Sequence, residues 1–528
     1  MLDSREIWNL FLSLNGETME RYNRYQYYLD WFRGNHELYQ EVKEGRPNHK
    51  TNLCSRAVRM IANFTLSQMF EIHAKRETEV VGKPVEQTQF RQEINYSDEQ
   101  EKAIRRIFKY RQQGKREFTS GMQSGLITGD TVIYIYKDEN GKPIIQNIFP
   151  GHVRAIFKSD NFDELEHLFI VRAKLPSVLA KKYKMPVSAI NTENFDVSSI
   201  WDSQLFYTGQ YALEVIHFDD KNKSSYVNGL LTEEPKPHGM PRVPAVIIPA
   251  LENSYSPWGD SYLKDIIPIN KEYNEAISDE AAIARIFAHP KVIIRNATQK
   301  DVDMIKAMWK TGVVASKTNL EVQPFQFTGQ LFPIEQRVAK IEDRFFRESA
   351  LGPAVFGMPP GSINTGASLT VQYAPTLQGA QIVWSSWEPK LLCLLDYLVD
   401  LLKDIGTDSE TKTNYRELFK KKPEWELKAP FRMPRDEAIV ISNEIQKYQV
   451  GIQSLFRTMT NLNIESPEDE LALSTWEKLV LAQILPQEVQ EQQVGRTPMA
   501  GAEAGGQIRA AQAAQTAGGA APLPTELR

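Results

Sequence analysis

The stretch from Pro333 to Ile405 decides the fold; it reads PIEQRVAKIEDRFFRESALGPAVFGMPPGSINTGASLTVQYAPTLQGAQIVWSSWEPKLLCLLDYLVDLLKDI. Apolar residues recur at helical spacing through 333–350 and again through 368–405. The segment 351–367 between them is rich in glycine and proline, which argues against regular structure there. The sequence therefore predicts a helix, a long loop and a very long helix. Loops of this length are usually functional or disordered, and the alternative is a plain surface connection.

The residues before this stretch predict a second helix and a small mixed unit. Ser256-Pro257 is typical of a helix start, because proline at the first helical position loses no hydrogen bond. We expect a break at Pro268 and a clean helix from Ile269 to Ala288. Residues 291–331 then predict a compact unit that begins with the strand KVIIR, continues with an amphipathic helix at 297–310 and ends with strands at Val313–Ala315 and Val322–Phe327.

The N-terminal half divides into a helical part and a β-rich part. We expect helices over Thr51–Phe70 and from Ser97 to Leu126, because their apolar residues share one face. Residues 127–255 predict strands, with Asn140-Gly141 as a two-residue hairpin signal and a helix at Pro176–Tyr183. A polar turn is expected over Asp219–Ser225.

Two features stand out at the C-terminal end. Asp396, Asp400 and Asp404 recur every fourth residue, so they share one face of the long helix. We interpret this row as a solvated face, with a channel-facing row as the alternative. Residues 432–485 predict a last helical block, and the Gln/Ala/Gly-rich residues 486–528 predict a disordered tail. The helices of the block are expected near Asp436–Tyr448, Ile452–Met459 and Pro467–Leu485.

Composition excludes several classes of protein. The chain has 528 residues, a mass of 60.3 kDa and a formal net charge of −5. A chain of this length predicts several modules. Without a basic excess, it does not resemble a domain that grips DNA tightly. Two distant cysteines, Cys54 and Cys393, form no disulfide framework. The start of the chain does not resemble a signal peptide. The most apolar segment, Leu391–Leu402, is too short and too charged to span a bilayer, so we expect a soluble protein.

Motifs for catalysis or cofactor binding are absent from the sequence. Gly352 and Gly357 have the glycine spacing of a phosphate-binding loop, but Met358 stands where that loop needs lysine. The eight histidines are scattered, and His167 and His217 lie in predicted strands, where a structural role is the simpler interpretation. We therefore expect no catalytic residue, metal or cofactor, and no enzyme activity.

A series of motifs resembles the portal proteins of tailed bacteriophages. The first is GDTVIY at 129–134, followed by the hairpin and by IFP at 148–150. Then come His238-Gly239 and VPAV at 243–246. WGDSYLKDI at 258–266, with Asn270 and Asn274 after it, resembles the start of the family's first stem helix. The resemblance covers roughly residues 20–485 and depends on the order of these motifs rather than on any one of them.

The resemblance implies an α+β, mainly helical portal fold that assembles into a ring around a central channel. Its segments would be a wing, a stem of two helices, a clip, a tunnel loop and a crown. They map onto the chain as wing 1–256 with its β-rich part at 127–255, stem helices 257–290 and 332–350, clip 291–331, tunnel loop 351–367, long wing helix and connection 368–431, crown 432–485 and tail 486–528.

The resemblance also implies site residues. The tunnel loop would contact DNA through Met358, Ser362, Asn364 and Thr365. Candidates for the channel wall are Glu272, Glu275, Asp279 and Glu280. The clip would present a docking surface that includes Lys300, Asp301, Asp303, Lys306 and Lys310.

The implied function is that of a conduit. Twelve copies would form a ring at one capsid vertex of the virion, after assembly in the host cytoplasm, and would nucleate head assembly. Double-stranded DNA would pass through the ring, nonspecifically, during packaging and ejection. The terminase large subunit, then head-completion adaptor or tail proteins, would dock on it, and the major capsid and scaffolding proteins would surround it. The alternatives are a capsid- or tail-associated structural protein without a channel, and an unrecognised nuclease or protease on a helical scaffold.

Overall fold

The computed structural model combines helices and sheets, as expected for an α+β protein. It describes residues 3–38, 47–66, 69–75, 87–158, 164–190, 211–288, 292–295, 298–300, 303, 321–324, 332–358, 366–408, 410–431, 437–462, 464, 470–471 and 473–476. The chain divides into two compact units, residues Met1–Pro434 and Arg435–Arg528. The larger unit contains the core and most of the predicted site residues.

Helices dominate the start of the larger unit. Asp3 caps α1 in a capping box with Glu6, and Gly34 ends α2 in the left-handed conformation that glycine adopts without strain. The third and fourth helices differ from expectation, since Phe70 already leads into a strand and Ser97 is buried inside a helix that begins ten residues earlier. The elements are α1 Ser4–Ser13, α2 Asn15–Arg33, α3 Leu53–Thr65, β1 Glu71–Ala74, α4 Gln87–Lys109 and α5 Gln113–Thr128.

The β-rich part forms two antiparallel sheets, which confirms the strand predictions over 127–255. One sheet has the order β3-β2-β9 and the other runs β4-β5-β6-β7-β8. A helix follows β5 at the predicted residues. The elements are β2 Asp130–Lys137, β3 Pro143–Ile148, β4 Val153–Phe157, β5 Leu165–Lys174, α6 Pro176–Tyr183, β6 Ala212–Phe218, β7 Asn222–Val227, β8 Leu230–Pro237 and β9 Ala245–Pro249.

Two turns in these sheets differ from the sequence interpretation. The hairpin between β2 and β3 forms, but its loop is wider than two residues, because the backbone of Asp138 pairs with Lys142 and only Gly141 has a positive φ. The polar turn that begins at Asp219 is shorter than expected. The Asp219 carboxylate accepts hydrogen bonds from the backbone amides of Lys221 and Asn222, so the chain reverses at once. Residues 222–225 therefore belong to β7.

The two helices predicted for the stem are also described. The start predicted at Ser256-Pro257 is wrong: residues 256–265 form bends and turns, and α7 spans Ile266–Ala288. Pro268 therefore lies in the first turn of α7, where a missing N–H breaks no helical bond, and the helix is not interrupted. Beyond it, β10 Val292–Arg295 pairs antiparallel with β11 Glu321–Pro324, and α8 spans Phe332–Glu348.

The long helix contributes a continuous row of side chains to the core. It is α9, Gly366–Ile405, and its predicted apolar stripe is buried from Trp384 and Trp387 through Leu402. Two short elements follow, α10 Tyr415–Leu418 and β12 Trp425–Lys428, and β12 pairs with β1. The stripe belongs to one large buried cluster that also includes residues of α3, α4, α5, α7 and α8.

The smaller unit contains the helices α11 Glu437–Gln449 and α12 Leu455–Asn461, close to the predicted positions. The expected third helix from Pro467 to Leu485 falls largely outside the described residues, and the tail 486–528 falls wholly outside them. The helix expected at 297–310 also lies largely outside the described residues, and the strand expected at Val313–Ala315 lies wholly outside them.

Candidate functional site

The helix α7, predicted as the first stem helix, is fixed to the N-terminal part of the chain by a ladder of buried polar side chains. Asn270, Asn274 and Ser278 recur every fourth residue of α7 and are all buried. They bond the backbone of segment 49–54: Asn274 Oδ1 accepts from the amide of Thr51 at 2.8 Å, and Asn270 Nδ2 donates to the Thr51 carbonyl at 2.7 Å. Ser278 Oγ accepts from the amide of His49 at 3.0 Å. The four-residue spacing of these side chains was the available sequence signal for the ladder.

The helices α7 and α8 pack directly on each other. Ile341 and Phe345 of α8 are buried in the shared core. Glu272 of α7 lies between two cations of α8, with N–O distances of 3.5 Å to Arg337 and 3.6 Å to Arg344. All three side chains are more than one-third exposed, so these ion pairs contribute little stability and mainly orient the helices.

The four acidic residues predicted for the channel wall occupy different environments on α7. Glu272 is turned towards α8, whereas Glu275 is exposed. Asp279 and Glu280 are half-buried. Their assignment to a channel wall stays a prediction.

The base of the predicted tunnel loop is anchored to α9. The Gly352 amide donates to Thr376 Oγ1 at 3.0 Å. A Cβ atom on Gly352 would lie 2.6 Å from the carbonyl oxygen of Gln372, so only glycine fits this close approach of two backbones. The segment is not wholly irregular as predicted, since Pro353–Phe356 forms a short 3-10 helix.

An aromatic cluster holds the same segment against α8. The Phe356 ring centroid lies 6.0 Å from that of Phe345 and 5.5 Å from that of Phe346. The Arg56 guanidinium lies 4.6 Å from the Phe356 centroid, a cation–π contact. Met358, the next predicted DNA contact, is 54% exposed at the end of this anchored base.

The other three predicted contacts of the tunnel loop, Ser362, Asn364 and Thr365, lie outside the described residues. The clip docking surface is only partly described. Lys300 and Asp303 are exposed, whereas Asp301, Lys306 and Lys310 lie outside the described residues.

A buried carboxyl joins the β-rich part to the turn before α7. Asp130 is fully buried; its Oδ1 accepts from the Gly259 amide at 2.7 Å, and its Oδ2 accepts from the Tyr25 hydroxyl. Burial raises the pKa of the Asp130 carboxyl to about 6, although both hydrogen bonds act in the opposite direction. Gly129 and Gly259 approach so closely that a Cβ atom on either would meet the other's carbonyl oxygen. The Gly-Asp and Trp-Gly-Asp-Ser motifs therefore form one structural joint.

An arginine extends this joint to α2. The Arg21 guanidinium lies 3.3 Å from the centroid of the Trp258 ring and donates to the Val153 carbonyl at 2.6 Å. The Trp258 indole N–H donates to Glu17 at 3.0 Å. No sequence pattern indicated that Arg21 and Glu17 would meet Trp258, because they lie more than 200 positions away along the chain.

Each acidic residue of the α9 row lies near a cation from another segment of the chain. Asp396 lies 2.8 Å from the Lys422 ammonium, Asp404 lies 2.6 Å from that of Lys137, and Asp400 lies 3.9 Å from the Arg242 guanidinium. The three carboxylates are only 20–29% exposed. The row is therefore less solvated than expected, because it pairs with cations of its own unit, and the channel-facing alternative stays a prediction.

The histidines and the glycine-spaced loop have structural partners in the described residues. His167 Nδ1 and His217 Nε2 lie 3.0 Å apart in neighbouring strands, as expected for structural histidines. The described ranges contain no cluster of three or more potential metal ligands. The loop that resembles a phosphate-binding loop cannot present a row of amides, because Thr376 takes the Gly352 N–H and Pro353 has none. No helix in the described ranges has the length and hydropathy that crossing a bilayer requires.

Comparison with known proteins gives a family and several similar structures. No curated protein matches the chain. One solved chain, from the virion of a native gene transfer agent particle, is 12% identical with a TM-score of 0.37 over 78% of this chain and 89% of that chain. Another, from the neck of the empty particle computed with C6 symmetry, is 11% identical with a TM-score of 0.39 over 79% and 90%. The family model "Phage portal protein, SPP1 Gp6-like" matches residues 14–330, which is more than half of the chain. The chain therefore belongs to the SPP1 Gp6-like family of phage portal proteins.

Proposed function

We propose that the protein is the portal subunit of a tailed phage or phage-like particle. Twelve copies form a ring at one capsid vertex of the virion, and double-stranded DNA passes through its channel during packaging and ejection. Membership of the portal family over residues 14–330 carries this proposal. The stem supports it, because α7 and α8 pack together and α7 is bonded to the N-terminal helices by buried side chains, as a rigid channel wall requires.

The ring also acts as a docking and assembly platform in this proposal. The clip, with exposed Lys300 and Asp303, binds the terminase large subunit during packaging and head-completion adaptor or tail proteins afterwards. Major capsid and scaffolding proteins contact the ring while it nucleates the head in the host cytoplasm. The formal net charge of −5 suits a passive conduit, since a strongly basic wall would retain the DNA that must slide through it.

The proposal includes no catalytic step and no cofactor. The protein guides DNA, and a docked ATPase supplies the work of packaging. ATPase and nuclease assays of the pure protein should give no turnover above that of a heat-denatured sample. Robust hydrolysis of ATP or DNA that copurifies with the ring would contradict this part of the proposal.

Microscopy and mass measurement test the ring itself. Native mass spectrometry and negative-stain images of the purified full chain should show closed rings of about twelve subunits with a central hole. A chain that stays monomeric or forms open filaments over a range of salt and protein concentrations would overturn the proposal.

A further inference from the structure

An open cavity of about 450 Å³ lies in the larger unit, where β1 meets the end of α4 and the start of α5. Its floor is apolar, because Phe70, Ile72 and Phe108 line it and all three are buried. The rings of Phe70 and Phe108 pack edge to face with their centroids 6.0 Å apart. Met69 also lines the cavity and is 38% exposed. The cavity therefore has the size and the lining of sites that bind apolar groups.

The turn between α4 and α5 shapes one side of this cavity. Gln112, which lines the cavity, has a φ of 55°, in the left-handed region that residues other than glycine rarely adopt. The buried side chain of Gln113 holds this turn in place, since its Oε1 accepts from the amide of Ile145. Gly114 lets α5 begin close to the floor, because a Cβ atom there would lie 2.8 Å from the Cβ atom of Phe108. The cavity is therefore shaped by fixed backbone.

Three cations form the rim of the cavity. Arg105 and Lys109 lie one turn apart on α4, Lys115 lies in the first turn of α5, and all three are exposed. Arg105 forms an ion pair with Glu101 at 3.2 Å. In the part of the chain that the structure describes, the ammonium groups of Lys109 and Lys115 have no acidic partner. Glu71 is the one acidic residue of the lining, so the lining has a net positive charge.

The edge of β1 that faces α4 is already bonded. The Ala74 amide donates to Glu101 at 2.9 Å, and Arg105 donates to the Ile72 carbonyl at 3.4 Å. A peptide therefore cannot bind here by adding a strand to β1, and an occupant of the cavity has to bind through its side chains.

We propose that this cavity binds a segment of a partner protein in which an apolar side chain is flanked by carboxylates. The apolar side chain fills the space over the floor, and the carboxylates pair with Lys109 and Lys115. The two cations come from different helices, so carboxylates spaced along a peptide suit them better than the single headgroup of a fatty acid. A side chain anchored in a pocket supplies most of the affinity of such contacts, and rim charges raise specificity and the association rate. One copy of the chain forms the whole site, so the inference goes beyond the proposed function and does not depend on the ring.

Peptide binding to the purified full-length protein tests the site. The acidic probe is a short fluorescein-labelled peptide in which two phenylalanines are separated and flanked by aspartates. The lysine probe is the same peptide with lysine in place of each aspartate. Fluorescence anisotropy should show saturable binding of the acidic probe, and the lysine probe should bind roughly tenfold more weakly or not at all.

Three variants locate the binding. Lys109→Glu with Lys115→Glu reverses charges of the rim, and should weaken binding of the acidic probe roughly tenfold or more and strengthen that of the lysine probe. The matched control, Lys102→Glu with Arg116→Glu, reverses one exposed cation on each of the same helices outside the cavity. It changes the net charge equally and should bind the acidic probe like the wild type. Met69→Trp adds volume to the cavity wall, and should weaken binding of the acidic probe while every charge stays the same.

The possible results separate the inference from its rivals. Equal binding of the acidic probe by the wild type and the rim variant overturns the inference, and so does equal binding of the two probes by the wild type. Dodecanoate is a third probe: if it binds, if Met69→Trp abolishes its binding, and if the acidic probe does not bind, the cavity takes a lipid-like ligand and the inference is overturned. A chain that binds the acidic probe as expected but forms no ring supports the inference and overturns the proposed function instead.

Discussion

The substitution Asp130→Asn tests the joint between the β-rich part and the turn before α7. It keeps the size of the side chain and removes the titration of its carboxyl. Its pKa is raised from 3.8 to about 6 by burial. A carboxyl whose pKa is raised by folding contributes stability below its unfolded pKa and loses that contribution as the pH rises through its folded pKa. Acidification from pH 7 to pH 4 should therefore stabilise the wild type by about 2 kcal/mol relative to Asp130→Asn.

Urea unfolding of both chains, in the same oligomeric state and at several pH values between 7 and 4, measures this difference. Other titrating groups are common to both chains, so their contributions cancel in the comparison. Tyr25→Phe, which removes the hydroxyl that donates to Asp130, should cost about 1–2 kcal/mol at pH 7. A difference in the free energy of unfolding between wild type and Asp130→Asn that does not change with pH, or that decreases on acidification, would refute the reasoning. It would mean that Arg21 and the two hydrogen bonds outweigh burial and keep the carboxyl ionised.

Three further predictions concern the predicted tunnel loop and the ion pairs of α9. Gly352→Ala should lower the free energy of unfolding by roughly 1–3 kcal/mol through overpacking at the loop base. Gly357→Ala has open space for its Cβ, but its φ of +73° lies in the left-handed region, so this substitution should cost about 1–2 kcal/mol through backbone strain, and thermal unfolding compares the two. Deleting Gly357 to Gly366 should leave ring assembly intact but impair DNA packaging or retention, and normal packaging would exclude the tunnel-loop assignment. Asp404→Ala should cost less than about 1 kcal/mol and should lose its effect when Lys137 is also replaced, in a double-mutant cycle.

Most helices and strands of the larger unit could be predicted from local patterns. The stripe of α9 was predicted from apolar periodicity, and the strands β2, β4, β6 and β9 were predicted from runs of β-branched and aromatic residues. Both signals are properties of neighbouring residues in the sequence. The misses lie where local signals are ambiguous. Ser256-Pro257 has the residues of a helix start, yet the chain forms turns there, and Ser256 Oγ instead accepts from the amide of Trp258 at 3.1 Å.

Strand β8 shows a second kind of miss. After two leucines, residues 232–237 are polar and include two prolines, so the segment did not resemble a strand. The structure places it at the edge of the five-stranded sheet, where one side of its backbone pairs with no other described strand and proline is tolerated. An edge position depends on the order of strands in the sheet, which no local pattern contains.

The sequence by itself determined the α+β class and the resemblance to the portal family, because these depend on periodicity and on motifs in a fixed order. The tertiary structure alone decided which side chains meet. It paired the acidic row of α9 with Lys137, Arg242 and Lys422, and it joined Asp130 to Gly259. The physical reason is that charge pairing, burial and hydrogen bonding act between residues that are close in space, and for these residues the partners are mostly far apart along the chain.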